Sequence, residues 1–509
     1  MLNRLLVCIL FLGFANVHAS VVRVLGTAPG YEGRKVAVIA MADEISGRRN
    51  LLTSADVRDD ASFELEFDIQ QTQRVYIHIQ RIEAALYVQP GNTYRCMFPQ
   101  VSRNDYKRFD RTEVELEFVD LPASDLNQAI RKFNLDYSNF INEHFYDFAS
   151  QEYRGSAQYL SALGERKSKV DLFAKRNSTD SVKYSSTTQF KGWVKQFDDS
   201  VSLANMNKPT DDFFRTYITF ATAELYLLSG MNRVDFYENY LMSITLPMRN
   251  PAFISCFKLF YQNMLTGRKS ELQSKIMKAI NVDRSFATLS DNFAADSTLL
   301  SKKLRDLACL NGLREVYNNK SFDRGSIDLL LRKVNSEDST VNTVAQNVLY
   351  QFKRCAPGEA MPALVLTNET QEKWAVADYN GVPLYLYFFA TWSPASLKDL
   401  LVIERWQEKF AGRLEFVAVS MDDDYRDFRK YLEDHPKQAL TFVYGNADPF
   451  IQEKINLRAI PYQLLISDDG KVLSDFAPAP SDPTFESLMN RVALKEDSQR
   501  QRPKTWKDH

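Results

Sequence analysis

Cysteine and histidine are scarce in this chain of 509 residues, which has five of each. The cysteines are far apart, at Cys8, Cys96, Cys256, Cys309 and Cys355. Zinc and iron–sulfur sites usually take their ligands from closely spaced cysteines and histidines, and disulfide scaffolds need a far higher cysteine density. We therefore expect no structural metal and no cofactor, and folds that are stabilised by their hydrophobic cores.

The chain also lacks an excess of positive charge. Its 63 Lys and Arg nearly balance its 65 Asp and Glu, so the net charge is −2. Such a chain has no summed positive field to attract a phosphate backbone, and we expect no nucleic-acid partner. The composition, 45% hydrophobic and 25% charged, is that of an ordinary folded protein, and the length predicts about three domains.

Long apolar runs are absent except for a short one near the N-terminus. Arg4 precedes an apolar run from Leu5 to Phe14, and a segment ending in Ala19 follows it. This pattern is typical of a secretory signal, here residues 1–19, cleaved after Ala19. The run is about half of the roughly 20 residues that a membrane-spanning helix needs. We expect export to the periplasm or cell envelope and no integral membrane segment after cleavage.

Hydrophobic periodicity predicts the first two domains. Between residues 20 and 121 apolar residues alternate with polar ones, as at Phe63, Leu65 and Phe67, which predicts an antiparallel β-sandwich. Over residues 122–354 the period changes to that of a helix, and we expect an all-α domain. Its aromatic-rich helix faces are typical of a packed core.

Residues 355–495 begin with a linker rich in Pro and Gly, after which strand and helix patterns alternate. Buried-strand runs occur at Leu384–Ala390, Leu414–Ser420 and Tyr462–Ser467, with helix patterns between them. This order predicts an α/β domain, and residues 496–509 read as a polar tail.

One run in this domain carries a family resemblance. Residues 384–396 read Leu-Tyr-Leu-Tyr-Phe-Phe-Ala-Thr-Trp-Ser-Pro-Ala-Ser. The run resembles the strand and active-site turn of the thioredoxin fold, in its secreted TlpA/ResA-like branch, where Ala-Thr-Trp precedes Cys-Pro-x-Cys. Further matches follow in the family's order: residues 362–366, Gly381, residues 416–422, Ile460-Pro461 at the family's cis-proline, and residues 465–471. Residues 20–120 resemble the small β-domain that often precedes such thioredoxin domains.

The chain departs from the family at the dithiol. Both cysteine positions are serine, at Ser393 and Ser396. Thiol–disulfide exchange needs a thiolate to attack and a second sulfur to resolve the mixed disulfide, and a hydroxyl can do neither. Cys355 stands 38 residues before Ser393, in the linker. We therefore assign no catalytic residue to this turn.

The turn and the cis-proline loop remain as a candidate surface for a protein or peptide partner. In the family this edge contacts extended peptide, so the resemblance implies a binding role for Trp392, Ser393, Pro394, Ser396, Ile460, Pro461 and Tyr462. The alternative is that Trp392 and Pro461 persist because the fold packs around them. Tyr462 stands where the family more often has Thr, and it could narrow a groove or fill one.

Three functions stay open at this point. The first is an exported, redox-inactive thioredoxin-like protein that binds a protein or peptide in the cell envelope. The second is a TlpA-type thiol–disulfide oxidoreductase that uses cysteines outside the motif, such as Cys355. The third is a binder of small molecules or glycans through the β-domain or the helical domain.

Overall fold

The computed structural model describes residues 20–101, 111–122, 124–145, 187–205, 211–379, 381–436 and 440–500. The predicted signal segment, residues 1–19, lies outside the described residues, as do residues 501–509 of the predicted tail. The described chain forms a β-rich N-terminal region, a helical central region and a C-terminal region that mixes strands and helices. This order confirms the predicted fold class.

The strands of the N-terminal region form two sheets. One has the order β4-β1-β7-β9 and the other the order β3-β2-β5-β6-β8. The strands are β1 (Ser20–Thr27), β2 (Lys35–Asp43), β3 (Arg48–Asp56), β4 (Ser62–Ile69), β5 (Gln73–Ile79), β6 (Ile82–Val88), β7 (Thr93–Met97), β8 (Thr112–Val114) and β9 (Glu117–Phe118).

The two sheets bury one shared core, which makes the region a sandwich. Alternate residues of β4 such as Phe63 and Leu65 meet alternate residues of β5 such as Val75 and Ile77 in that core. Most neighbouring strands are antiparallel, as expected, but β1 pairs with β7 and β6 pairs with β8 in parallel. Alternation predicts the buried face of a strand and leaves the direction of its neighbour open.

The central region packs its helices around one core that is rich in Phe, Tyr and Leu. Side chains of Asp or Asn cap several helices, for example Asn250, which accepts from the N–H groups of Ala252 and Phe253. The helices are α1 (Leu126–Phe140), α2 (Thr187–Asn205), α3 (Asp212–Leu228), α4 (Arg233–Tyr240), α5 (Pro251–Phe260), α6 (Ser270–Lys278), α7 (Phe286–Asp291), α8 (Lys302–Val316), α9 (Arg324–Arg332) and α10 (Ser339–Lys353).

The C-terminal region is built on one mixed sheet of order β11-β10-β14-β13-β12-β15-β16. Its strands are β10 (Leu366–Thr367), β11 (Lys373–Trp374), β12 (Leu384–Phe389), β13 (Glu415–Ser420), β14 (Thr441–Tyr444), β15 (Tyr462–Ile466) and β16 (Val472–Ser474). Its helices are α11 (Pro394–Phe410), α12 (Tyr425–Asp434), α13 (Ile451–Lys454) and α14 (Phe485–Arg500).

Strand β12 lies inside this sheet, and all six of its side chains are buried. It runs parallel to β13 and antiparallel to β15. Cores on both faces of the sheet explain why β12 is a continuous apolar run rather than an alternating one.

The last helix is longer than the sequence pattern indicated. Helix α14 continues to Arg500, so the polar segment predicted from residue 496 begins inside it. Residues 494–500 contain good helix formers and no Gly or Pro that would end the helix earlier. Within the described ranges, no helix combines the length and the apolar character that crossing a bilayer requires.

Candidate functional site

The serine turn lies between the end of β12 and the start of α11. The apolar run ends at Ala390, and Pro394 occupies the first position of the helix, where a missing N–H costs no hydrogen bond. Ser393 is the N-cap and has extended backbone angles. The turn therefore has the strand–turn–helix form that the resemblance predicted.

The two serines are hydrogen-bonded to each other. The Ser396 hydroxyl donates to Ser393 Oγ at 2.9 Å, and the Ser396 N–H approaches the same oxygen at 3.3 Å. Ser396 is fully buried, and Ser393 is 7% exposed. In the described chain neither hydroxyl has a histidine or carboxylate as a hydrogen-bond partner, so nothing there activates a serine as a nucleophile.

A tyrosine ties the strand to the first turns of α11. The Tyr387 hydroxyl lies 3.2 Å from the carbonyl oxygen of Ser396 and 3.1 Å from Asp399 Oδ2. Burial raises the pKa of the Tyr387 hydroxyl, and burial also raises the pKa of the Asp399 carboxyl. The contact holds the serine turn against the sheet.

A buried carboxyl fixes the other side of the turn. Asp422 Oδ1 accepts from the N–H of Thr391 at 2.9 Å and from its hydroxyl at 2.8 Å. Asp422 Oδ2 accepts from the Ser420 hydroxyl at 2.7 Å. Burial, only partly offset by these hydrogen bonds, raises the pKa of the Asp422 carboxyl.

The loop before β15 lies beside the serine turn. Antiparallel pairing puts Tyr462 opposite Phe388, so the residues just before Tyr462 lie next to the end of β12. The Ile460–Pro461 peptide bond is cis, as the resemblance implied. Among the described residues the backbone of Ile460 has no hydrogen-bond partner, which leaves its N–H and C=O open.

The predicted site residues differ in accessibility. Pro394 is exposed, and Trp392, Ile460 and Pro461 are partly buried. Ser393, Ser396 and Tyr462 are buried and offer little surface to a partner. The N-terminus of α11 is capped by Ser393, whose side chain accepts from the N–H of Ser396. Accessible surface here is therefore mostly apolar.

Tyr462 fills space rather than lining a groove. Its hydroxyl donates to the carbonyl oxygens of Asp475, at 2.6 Å, and Ile455, at 3.2 Å. Its ring packs near that of Phe388, with centroids 5.8 Å apart. The sequence left both roles open for this tyrosine, and the buried one is observed.

Phe476 is an exposed aromatic residue that the sequence did not point to. It is 77% exposed, and its neighbours Asp475 and Ala477 are tied to β15, Ala477 through an N–H bond of 3.2 Å to the Gln463 carbonyl. Phe476 therefore lies on the flank of the cis-proline loop. A single Phe in a sequence is usually assigned to the core. Its exposure here results from the contacts that Asp475 and Ala477 make with β15, and the sequence pattern does not show these contacts.

The four described cysteines are buried and not joined in disulfides. Burial raises the pKa of Cys96 and that of Cys355 to about 12. Burial also raises the pKa of Cys256 and Cys309. Thiols in such surroundings stay protonated at neutral pH, whereas disulfide exchange needs a thiolate.

Residues 381–472 match the family model described as thioredoxin-like. These residues contain β12, the serine turn, the cis-proline loop and β15. The C-terminal region is therefore a thioredoxin-like domain, and the predicted resemblance is confirmed at this level.

Matches between this chain and solved structures cover about a quarter of the chain. A protein assigned as a thiol-disulfide oxidoreductase from Bacteroides vulgatus is 26% identical, and the match covers 27% of this chain and 98% of that one, with a TM-score of 0.26. A thiol:disulfide interchange protein from Chlorobium tepidum is 18% identical over 27% of this chain and 98% of that one, with a TM-score of 0.24.

An exposed lipoprotein thioredoxin from Streptococcus pneumoniae is 18% identical over 26% of this chain and 99% of its own, with a TM-score of 0.23. No curated protein matches the chain.

Proposed function

We propose that this protein is an exported, redox-inactive thioredoxin-like protein of the cell envelope, whose C-terminal domain binds an extended segment of a protein or peptide partner. One observation carries the proposal. The turn and the cis-proline loop keep their places at the end of β12, while the dithiol is replaced by two serines that bond to each other at 2.9 Å.

Cysteine chemistry supports the redox-inactive part of the proposal. Cys355, the nearest cysteine in sequence to the turn, is 2% exposed, and burial raises its pKa to about 12. A thiol of that pKa is almost entirely protonated at neutral pH and attacks disulfides slowly. The oxidoreductase alternative would need one of the buried cysteines to become exposed.

The surface around the cis-proline loop supports the binding part. The open N–H and C=O of Ile460 suit an extended segment, which adds to a sheet edge through backbone hydrogen bonds. Trp392, Pro394 and Phe476 supply apolar contacts on the two flanks. Backbone bonds of this kind contribute affinity, and the side chains around them contribute selectivity. The export part rests on the signal pattern of residues 1–19.

Site-specific photocrosslinking in the native compartment tests this function. A photoreactive residue replaces Ala395, which is exposed in the first turn of α11 next to Pro394. The matched control replaces Glu408, exposed on the same helix about 20 Å further along its axis. We expect a defined protein adduct from position 395 that is absent from position 408. Equal labelling from both positions, or none from position 395, contradicts a binding site at the turn.

A further inference from the structure

A large cavity lies where the three regions meet, away from the serine turn. Its volume is about 1730 Å³, and it lies between the outer face of the five-stranded sheet, the helical region and the loop after β14. The residues that matter for its chemistry are Arg49, Glu83 and Arg111 of the sandwich, Arg354 at the end of α10, and Glu453 of α13.

Arg49 is a buried cation with one N–H donor that has no acceptor in the described chain. Its side chain is 7% exposed, and it pairs with Glu83 at 2.5 Å and with Glu453 at 3.5 Å. Both pairs use the terminal nitrogens. The Nε–H group of Arg49 is also buried and has no acceptor among the described residues. A buried donor that is left unpaired costs about 1–3 kcal/mol.

Arg354 is less well compensated than Arg49. It follows α10, and its backbone N–H closes that helix on the Tyr350 carbonyl at 2.8 Å. Its Nε–H group is buried without an acceptor, and no described carboxylate lies within ion-pair distance of its guanidinium. Burial lowers the pKa of Arg354, with a further lowering by Arg111 and a partial offset by Glu453.

The carboxylates around this point leave some guanidinium donors without an acceptor. Three guanidinium groups, those of Arg49, Arg111 and Arg354, lie near three carboxylates, Glu83, Glu113 and Glu453. The Nε–H groups of Arg49 and Arg354 nevertheless have no acceptor in the described chain. Two of the other arginines in the lining, Arg74 and Arg314, also have buried Nε–H groups without an acceptor in the described chain, although Arg74 pairs with Glu44 through a terminal nitrogen. Buried guanidinium N–H donors without an acceptor are complementary to the oxygen atoms of an oxyanion.

We propose that this cavity is a binding site for an oxyanion ligand, whose carboxylate or phosphate group pairs with Arg49 and Arg354. The ligand supplies acceptors for the Nε–H groups of Arg49 and Arg354, which have none in the described chain. Its remaining atoms lie along the cavity toward the tyrosines of the lining, among them Tyr76 and Tyr137. This site is separate from the serine turn, and it stands whether or not the turn binds a partner.

Calorimetric titration of the full chain without its signal segment tests the proposal, with citrate and inorganic phosphate as probes and glycerol as the uncharged comparison. Sodium chloride holds the ionic strength constant, because charge pairs weaken with salt. We expect citrate or phosphate to bind at one site and glycerol not to bind. The stronger of the two anions identifies the ligand group as a carboxylate or a phosphate.

Two substitutions distinguish a ligand site from a set of ion pairs that only join the regions. Arg354→Met removes the uncompensated cation, so we expect at least tenfold weaker anion binding with an unchanged or higher thermal midpoint of the free protein. Arg429→Met, at an exposed arginine of α12, is the matched control and leaves anion binding unchanged.

The proposal is overturned if neither anion binds the wild-type protein, or if Arg354→Met binds as tightly as wild type. Equal losses in the Arg354 and Arg429 variants also overturn it, because they indicate unspecific charge attraction. Should Arg354→Met not fold, Arg354→Lys keeps the charge without the planar fork. The Arg354→Lys variant must then bind the anion at least several-fold more weakly than the wild-type protein. Anion binding as tight as that of the wild-type protein overturns the proposal.

Discussion

Thr391 and Asp422 join the serine turn to the neighbouring strand through two hydrogen bonds to one carboxylate oxygen, at 2.9 and 2.8 Å. Asp422 is fully buried at the end of β13, and its second oxygen accepts from Ser420. This contact holds the turn in place without any sulfur chemistry. The shape of the site therefore depends on a carboxyl group whose charge is disfavoured by burial.

Asp422→Asn and Asp422→Ala should lower the free energy of unfolding by different amounts. The amide keeps an acceptor for Thr391, so we expect the asparagine variant to stay within about 1 kcal/mol of wild type near neutral pH. Alanine leaves the N–H and hydroxyl of Thr391 and the hydroxyl of Ser420 unpaired, and we expect a loss of about 2 kcal/mol or more. Urea unfolding followed by tryptophan fluorescence measures both. Equal losses contradict the hydrogen-bonding role of Asp422.

The pH dependence of the same pair follows from the direction of the pKa shift. The pKa of Asp422 is raised in the folded state, so the folded protein binds this proton more tightly than the unfolded chain. Its contribution to stability is present below the ordinary pKa of 3.8 and is lost as the pH rises through the folded pKa. In the Asp422→Asn variant the free energy of unfolding should not show this decrease with rising pH. A decrease as large as that of the wild-type protein contradicts the assignment of the effect to Asp422.

Wild-type protein should not accelerate the reduction of insulin by dithiothreitol. Neither Ser393 nor Ser396 can form a mixed disulfide, and the described cysteines are buried thiols with raised pKa values. The turbidity of precipitating insulin, with and without the protein, measures the rate. Acceleration by the wild-type protein that is lost when Cys96, Cys256, Cys309 and Cys355 are all mutated to serine contradicts the redox-inactive proposal and supports the oxidoreductase alternative.

The double variant Ser393→Cys with Ser396→Cys should form a disulfide. The two hydroxyl oxygens are 2.9 Å apart at the start of a helix, and sulfur atoms in their place need only a small shift to reach bonding distance. The helix N-terminus should lower the pKa of the thiol at position 393 below that of a free cysteine. Thiol counting after mild oxidation, and the pH dependence of alkylation, measure both effects. A double variant that stays reduced shows that the turn does not have this geometry.

Local sequence patterns were sufficient for part of the site. The run of β12 is buried on both faces and ends at Phe389, and Pro394 begins the helix after a turn of four residues, so strand, turn and helix are all marked within thirteen residues. The Ile460-Pro461 pair is likewise marked by its own residues, and its cis bond is observed. Features set by neighbours in the chain could be predicted for that reason.

Other features depend on contacts between distant segments and could not be predicted. Tyr462 is buried because the carbonyls of Ile455 and Asp475 both lie within reach of its hydroxyl. Arg49 and Arg354 belong to different regions and share one cavity only because the helical region packs on the sandwich. No pattern in the sequence indicates which distant surfaces meet, so this cavity was not foreseen.

Acid should weaken the cluster of ion pairs that Glu83 forms with Arg49 and Arg111 beside the cavity. Burial acts to raise the pKa of Glu83, but His78, Arg49 and Arg111 outweigh it and lower that pKa to about 2. The contribution of the ionised Glu83 carboxylate to the free energy of unfolding is present above the ordinary pKa of 4.5 and is lost as the pH falls toward 2.

Glu83→Gln tests this assignment. We expect the variant to be less stable than wild type at pH 7 by about 3 kcal/mol, a difference that shrinks between pH 4.5 and 2. Exposed Glu66, which pairs with Arg23 on the surface, is the matched control, and Glu66→Gln should change stability by less than about 1 kcal/mol. A stability difference for Glu83→Gln that is independent of pH contradicts the assignment.

Trp392→Ala separates a used binding surface from a turn that is only retained by packing. Trp392 is partly buried in front of the serine turn, and an aromatic side chain that becomes fully buried against a partner costs about 2 kcal/mol or more when truncated. We expect about thirtyfold weaker binding of the partner identified by crosslinking, with a modest decrease in the thermal midpoint.

Tyr462→Phe is the matched control because it changes a buried aromatic residue beside the same loop and removes two hydrogen bonds. That control should lower the midpoint and leave partner affinity nearly unchanged. If Trp392→Ala lowers the midpoint as strongly and has no separate effect on binding, Trp392 is a packing residue, and the partner contacts another part of the chain.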